Sequence, residues 1–267
     1  MKVYLIQFDA RPAETEQNLD KIAFMMKGVE PGSMVFLPEM FNTSYVLSAE
    51  TLISQIEQDS ISWMQQKANS HQIVIGGSMP IFNNGKLRNR WMAFDPEGNQ
   101  VTYDKIHLFN PGGEGRNYNA GEALVQCRVG DWLVRPLICY DLRFPFLSFQ
   151  DASEPYDLLV YAANWPLARI HQWKQLLVAR AIENQVYVAG INRTGIDQYG
   201  NVYPGCSMLV DYAGNVVLEA GSEETMLSFE LDLKSMHHYR KAFPFFADAV
   251  QKFSIKPAVH LSLPLTK

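Results

Sequence analysis

The sequence has few cysteines, no excess of positive charge and no long apolar run. Its 267 residues hold three cysteines, Cys127, Cys139 and Cys206, with no Cys-x-x-Cys among them. An odd number at long spacings argues against a disulfide framework or a zinc site and fits a reducing, cytoplasmic compartment. Twenty-three Lys and Arg against 28 Asp and Glu leave a net charge of −5. A phosphate-tracking surface needs a basic excess, so nucleic-acid binding is not expected. No apolar stretch approaches the ~20 residues of a membrane-spanning helix. The opening residues, Met1 to Asp9, turn acidic too soon for a secretory signal, so export is not expected. No Pro-, Gly- or Ser-rich linker divides the chain, and a single domain over residues 1–267 is expected.

What is present is a core. Hydrophobic residues make up 47% and aromatics 12%, too many for disorder and ample for a packed interior. Short apolar runs recur at Val3–Phe8, Met34–Leu37, Ile73–Gly76, Trp132–Ile138, Leu158–Tyr161, Val186–Ile191 and Ser207–Val210. Several are apolar at consecutive positions, the pattern of strands covered on both faces. Helical spacing appears over Glu16–Lys27, Leu52–Ala68 and about Ala168–Glu183, where Trp173, Leu176, Leu177 and Ala181 share a side. Asn83-Asn84-Gly85 marks a hairpin. Asp95-Pro96-Glu97-Gly98-Asn99 and Asp211-Tyr212-Ala213-Gly214-Asn215 are similar turns, which hints at two related sheet halves. Strands mixed with helices predict a layered α/β or α+β fold.

Reactive side chains stand at three strand exits. In Leu37-Pro38-Glu39-Met40-Phe41, Pro38 ends a strand and Glu39 follows beside apolar neighbours. Burial makes a carboxylate more basic, as a general base requires; the alternative is a solvated loop acid. In Tyr103-Asp104-Lys105-Ile106-His107, continued strand would put Lys105 and His107 on one face. Either serves a nucleophile, although a hydrogen-bonded structural histidine is the commoner use of such a position. In Ile138-Cys139-Tyr140-Asp141-Leu142-Arg143-Phe144-Pro145, an apolar strand runs into Cys139 and a bend, with a helix expected after Pro145. Such an elbow exposes a nucleophile and frees the Tyr140 N–H to stabilise an oxyanion. A nearby Lys⁺ lowers a thiol's pKa; the alternative is an inert buried cysteine. Cys127 and Cys206 read as packing residues. His237-His238 has no third ligand at metal spacing. Gly112-Gly113-Glu114-Gly115 lacks the Lys-Ser/Thr of a phosphate cradle. No metal site is expected.

Taken together, in this order, the three segments resemble the Glu, Lys and Cys motifs of the nitrilase superfamily of carbon–nitrogen hydrolases. The resemblance covers nearly the whole chain, to Phe243-Pro244. It implies a four-layer αββα sandwich, pairing as a homodimer or higher homo-oligomer, and a Glu39–Lys105–Cys139 site without metal or cofactor. The family's second glutamate falls on Glu114, seven residues before Gly121. Tyr140-Asp141 after the cysteine is the amidase-like form rather than the Trp-Glu of true nitrilases. Ala163-Asn164-Trp165-Pro166 and Ala179-Arg180-Ala181-Ile182-Glu183-Asn184-Gln185 resemble the bacterial omega-amidase branch. That branch implies hydrolysis of 2-oxoglutaramate or 2-oxosuccinamate to the 2-oxo acid and ammonia through a thioester.

Such a substrate carries a distal carboxylate, for which Arg143 and Arg169 are candidates because a guanidinium binds a carboxylate through two donors. Arg143 paired with Asp141 or Asp151 is the structural alternative. Asn164 and Trp165 are expected to form one pocket wall, and Phe41 and Tyr45 the apolar side. Rival readings are a Cys–His hydrolase using His107 or His171, another family amidase of the carbamoyl-amide or deaminated-glutathione type, and a non-catalytic binding protein.

Overall fold

A computed structural model describes residues 1–45, 50–83, 85–150 and 155–247. The elements in chain order are β1 (Lys2–Gln7), α1 (Thr15–Met25), β2 (Met34–Phe36), α2 (Glu50–His71), β3 (Val74–Asn83), β4 (Lys86–Phe94), β5 (Gln100–Asp104), β6 (Cys127–Val129) and β7 (Trp132–Ile138). There follow α3 (Pro145–Ser148), β8 (Leu158–Ala163), α4 (Ile170–Asn184), β9 (Tyr187–Asn192), β10 (Thr194–Ile196), β11 (Val202–Pro204), β12 (Met208–Val210), β13 (Val216–Glu219), β14 (Thr225–Glu230) and α5 (Leu233–Ala242).

Two six-stranded sheets form the centre, in the orders β14-β1-β2-β3-β4-β5 and β13-β12-β9-β8-β7-β6. Each holds three neighbouring parallel strands, β1-β2-β3 and β7-β8-β9, extended by antiparallel ones. The two halves hinted at by the repeated turns are these sheets. The Asp95–Asn99 turn joins β4 to β5, and the Asp211–Asn215 turn joins β12 to β13. In each, the aspartate carboxylate accepts the asparagine backbone N–H four residues on.

The period of two explains the layering. Along β1, Val3 and Leu5 enter the core between the sheets, while Tyr4 and Ile6 pack with Leu19, Ile22, Met64 and Ala68 of α1 and α2. Strand β8 is buried at every residue, because the first sheet covers one face and Trp173, Leu177 and Ala181 of α4 cover the other. The order is helices, sheet, sheet, helix: the αββα sandwich.

Strand β3 runs on past the expected Gly76 to Asn83. Its partner β2 stops opposite Gly76, so Pro80 sits where no second neighbour asks for its missing N–H. No helix among the described residues is long and apolar enough to cross a membrane.

Candidate active site

Strands β2, β5, β7 and β8 end at one rim of the sandwich, and each delivers one residue there. Glu39 follows β2, Lys105 follows β5, Cys139 follows β7 and Asn164 follows β8. Sites at the carboxyl ends of strands are the rule for such sheets. Two backbone features aim the reactive pair. Met40, next to Glu39, has φ 51°, and Cys139 has φ 43°. Positive φ at a side-chain-bearing residue is strained. Here it turns the chain sharply at the end of β7 into a short 3-10 helix over Cys139–Arg143.

Glu39 is buried and accepts at both oxygens. Its Oε1 takes Lys105 Nζ at 2.8 Å and Asn89 Nδ2 at 2.7 Å; its Oε2 takes the Asn164 backbone N–H at 2.9 Å. Glu114, wholly buried in a 3-10 turn, accepts Lys105 Nζ at 2.9 Å, Asn89 Nδ2 at 3.0 Å and the Phe109 N–H at 2.6 Å. Lys105 thus bridges the two carboxylates, and all three are brought together as the motifs implied. Burial disfavours the Lys105 ammonium, but Glu114 and then Glu39 outweigh it and hold its pKa well above the ordinary lysine value.

The thiol behaves otherwise than expected. Burial first, and the charge on Glu39 second, push the Cys139 pKa well above that of an ordinary thiol. Lys105 and the bond to the Asn164 carbonyl (3.8 Å) pull it down by less. The expected lowering by Lys⁺ is present but is outweighed by burial and by the charge on Glu39.

His107 is not on a strand with Lys105, since β5 stops at Asp104. Its N–H and Nδ1 meet Asp141 Oδ1 at 2.9 and 3.3 Å, and its ring stacks on Phe144 with centroids 3.6 Å apart. Asp141 Oδ2 takes the Tyr103 hydroxyl at 2.8 Å and the Ile138 N–H at 3.1 Å. Asp141 therefore clasps the segment after β5 to the elbow after β7, and His107 is its structural partner.

A cavity of about 290 Å³ opens over these groups, lined by Glu39, Tyr45, Lys105, Phe109, Cys139, Asn164, Arg169, Asp197, Tyr199, Asn201 and Tyr203 among others. Of the expected substrate contacts, Tyr45, Asn164 and Arg169 are in its wall. The buried Tyr45 hydroxyl and both polar atoms of the Asn164 carboxamide have no hydrogen-bond partner among the described residues. The Arg169 guanidinium lies 5.3 Å from the Phe109 ring centroid and has no carboxylate partner among the described residues.

Of the others, Phe41 is corrected, while Trp165 and Arg143 lie beside the cavity rather than in its wall. Phe41 is fully buried under α2, its ring 6.5 Å from that of Trp63, because the turn at Met40 points it into the core. Trp165 is also core: its indole donates to the Arg169 carbonyl and packs on Trp173. Trp165, Arg143 and Tyr140 line a small side cleft whose wall also holds Cys139, Asn164 and Arg169. Arg143 donates to Gln172 at 2.7 Å and stacks on Trp165 rather than pairing with Asp141, whose oxygens are already engaged. Asp151 lies outside the described residues. The Tyr140 N–H sits in the first turn of the 3-10 helix, where no carbonyl of that helix reaches it.

Three features were missed. Asn89 joins the two carboxylates. The β10–β11 hairpin supplies the wall from Asp197 to Tyr203. Arg193, fully buried, ties that hairpin's base to Asp9 at 2.7 Å and to Ser44, and stacks on Tyr203. The signal for the hairpin was in the sequence. Asp197-Gln198-Tyr199-Gly200-Asn201 is a third Asp-x-x-Gly-Asn turn, with the same bond from Asn201 N–H to Asp197 at 2.9 Å.

Comparison with known proteins agrees with this fold. The family model described as carbon-nitrogen hydrolase matches residues 2–241. The omega-amidase YafV of Yersinia enterocolitica is 36% identical over 250 residues, 93% of this chain and 96% of that one. The 2-oxoglutaramate amidase of Bacillus subtilis is 32% identical over 247 residues, 91% and 95% of the two chains. A solved CN-hydrolase superfamily protein from Xanthomonas campestris, with an arsenic adduct in its active site, superposes with a TM-score of 0.89. That pair shares 29% identity over 96% of this chain and 99% of the other.

Proposed function

We propose a reaction for this chain from one premise: it belongs to the carbon–nitrogen hydrolase family and hydrolyses amides. The proposed substrate is a small omega-amide of a 2-oxo dicarboxylate, 2-oxoglutaramate or 2-oxosuccinamate. The observation that carries the reading is Arg169, a cation without an acidic partner among the described residues, in the wall of the cavity that also holds Glu39, Lys105 and Cys139. A guanidinium there suits the substrate's distal carboxylate. The Tyr45 hydroxyl and the Asn164 carboxamide, buried without partners, suit its 2-oxo and amide groups, since such atoms gain most from a ligand that pairs them.

In this mechanism Glu39 takes the thiol proton through Oε2 while Cys139 attacks the amide carbon. The oxyanion forms between Lys105 and the Tyr140 N–H. An ammonium has three donors; two directions are held by Glu39 and Glu114, and the third serves the oxyanion. Glu39 then protonates the departing nitrogen, ammonia leaves, and a thioester remains. Water activated by Glu39 releases the acid. Glu114 orients Lys105. No cofactor takes part in any step.

One catalytic domain, working as a homodimer in the cytoplasm, completes the proposal. The apolar core runs continuously from Val3 to Met236, and the exposed Phe146, Phe149 and Ile182 suit burial by a second copy.

The test is ammonia release from 2-oxoglutaramate, with succinamate, glutamine and a simple nitrile as comparators and Cys139→Ala as the blank. Release from the oxo-amide that vanishes in the variant supports the reading. Silence on the oxo-amide overturns the substrate, and activity in Cys139→Ala overturns the mechanism.

A further inference from the structure

We propose that Asn89 is a positioning residue that fixes the orientation and the charge of Glu39; this rests on reading Glu39 as the base for Cys139. Along β4, Leu87, Asn89 and Trp91 are buried while Arg88 and Arg90 are partly exposed. An asparagine side chain at a fully buried position of a strand must have its hydrogen bonds met, and each of its polar atoms is engaged. Its Oδ1 accepts the Ser78 hydroxyl at 2.9 Å, and its backbone carbonyl accepts the Lys105 N–H at 2.9 Å. The two protons of its amide go to different acids, Glu39 Oε1 at 2.7 Å and Glu114 Oε1 at 3.0 Å.

The Ser78 bond decides which way round the amide sits. Because the hydroxyl donates to Oδ1, the amide nitrogen must face the acids. Ser78 in turn accepts the N–H of Met40, the residue after Glu39, at 3.1 Å. Ser78 and Asn89 therefore grip both the backbone beside Glu39 and its carboxylate.

Asn89 and Lys105 both bind Oε1, so that oxygen carries two side-chain donors while Oε2 accepts the Asn164 N–H. An uncharged two-proton donor is the residue type this position needs. A second lysine would cancel the charge that makes Glu39 a base, and an acid would force neighbouring carboxylates to share a proton.

The test uses the full chain with Asn89→Asp, Asn89→Ser and Ser78→Ala, each checked for folding by circular dichroism and thermal melting. Two readouts run against pH: kcat and KM for 2-oxoglutaramate, and the rate of Cys139 alkylation by iodoacetamide. Asn89→Asp is expected to lower kcat about 100-fold near neutral pH, the cost of a misplaced reacting group, with KM within about threefold. Its added charge is expected to move the acid limb of both profiles up by about one pH unit. Ser78→Ala, which changes no charge, is expected to lower kcat about fivefold without moving the profile. Folded variants with wild-type kcat and profiles, or with losses in KM alone, overturn the proposal. Should Asn89→Asp not fold, Asn89→Ser and Ser78→Ala decide by the same criterion. A wild-type chain silent on 2-oxoglutaramate refutes the substrate, while the alkylation arm still decides Asn89.

Discussion

Replacing Lys105 by methionine separates this site from every rival use of Cys139. The substitution keeps the length of the side chain and removes a charge that two buried carboxylates share at 2.8 and 2.9 Å. Breaking a buried pair by deleting one partner costs about 3–5 kcal/mol, because the remaining charge is left desolvated. Here two acids are left, and Asn89 alone cannot hold them apart. Forced together without a counter-charge, they retain a proton between them. The lysine pKa is raised by folding, so its stabilisation is fully present below 10.5 and is lost only as pH rises through the folded value. At neutral pH the wild type therefore keeps the whole contribution and the variant none.

The expected result is a chain about 3–5 kcal/mol less stable than wild type near neutral pH in urea unfolding. Turnover falls by at least the ~10²–10³ of one lost oxyanion donor, and further because the proton held between the acids removes the base. A Cys–His hydrolase predicts only a modest loss. A Lys105→Met chain with wild-type stability and more than about a tenth of wild-type kcat/KM refutes the argument.

Other outcomes follow from single residues. Arg169→Met is expected to raise KM for 2-oxoglutaramate by about 10- to 100-fold, the worth of a charged hydrogen bond, while hydrolysis of an uncharged amide such as butyramide changes little; equal losses on both would deny Arg169 its role. Gly121→Ala would drive a Cβ into the Asp104 carbonyl oxygen, beside the 2.8 Å bond from Gly121 N–H to the Lys105 carbonyl. A loss of about 1–3 kcal/mol with a fall in kcat is expected, and a silent variant would show that the Lys105 backbone tolerates the shift. Burial raises the Asp197 carboxyl, but bonds from Asn201, Tyr203 and Tyr199 outweigh it and hold it below its ordinary value. Its stabilisation is thus present above pH 3.8 and lost as pH falls through the folded value. The melting-temperature gap between wild type and Asp197→Ala should close in acid, and a constant gap would refute the assignment.

The layered fold was legible because buried parallel strands write themselves as consecutive apolar runs: Leu158–Tyr161 needs no partner information to be recognised. The meeting of Glu39, Lys105 and Cys139 in one cavity was legible only through their shared place at strand exits and the family motifs around them. What was not legible depended on backbone direction. Phe41 looked like a pocket wall because it lies two residues after Glu39, but the positive φ at Met40 intervenes and sends it into the core. Trp165 follows Asn164 yet belongs to the packing between β8 and α4. Asn89 carried a signal that periodicity alone offers: it is the polar residue on the buried face of Leu87-Arg88-Asn89-Arg90-Trp91. The hairpin from Asp197 to Asn201 repeats a turn found twice as an ordinary connection, and nothing in the repeat distinguishes the copy that lines the cavity. Arg193, whose bonds span 184 residues of chain to Asp9, holds it there together with the Thr194 N–H on the Phe8 carbonyl and Gln198 on the Tyr45 carbonyl.

The charges of the site argue for when the thiolate forms. Glu39, Glu114 and Lys105 sum to one negative charge, and all three are buried. A cysteine beside such a cluster does not ionise in advance, as its raised pKa reflects. Only the thiolate attacks, so the proton must leave as the bond to carbon forms, which is the step that moves negative charge from sulfur onto the amide oxygen. In the proposed mechanism the third Lys105 donor and the Tyr140 N–H gain a partner at that moment, and Glu39 loses a charge by taking the proton. Each charge in the cluster is then better matched than at rest. An arrangement that disfavours the free thiolate and favours the oxyanion lowers the barrier rather than the ground state, which is what differential binding requires.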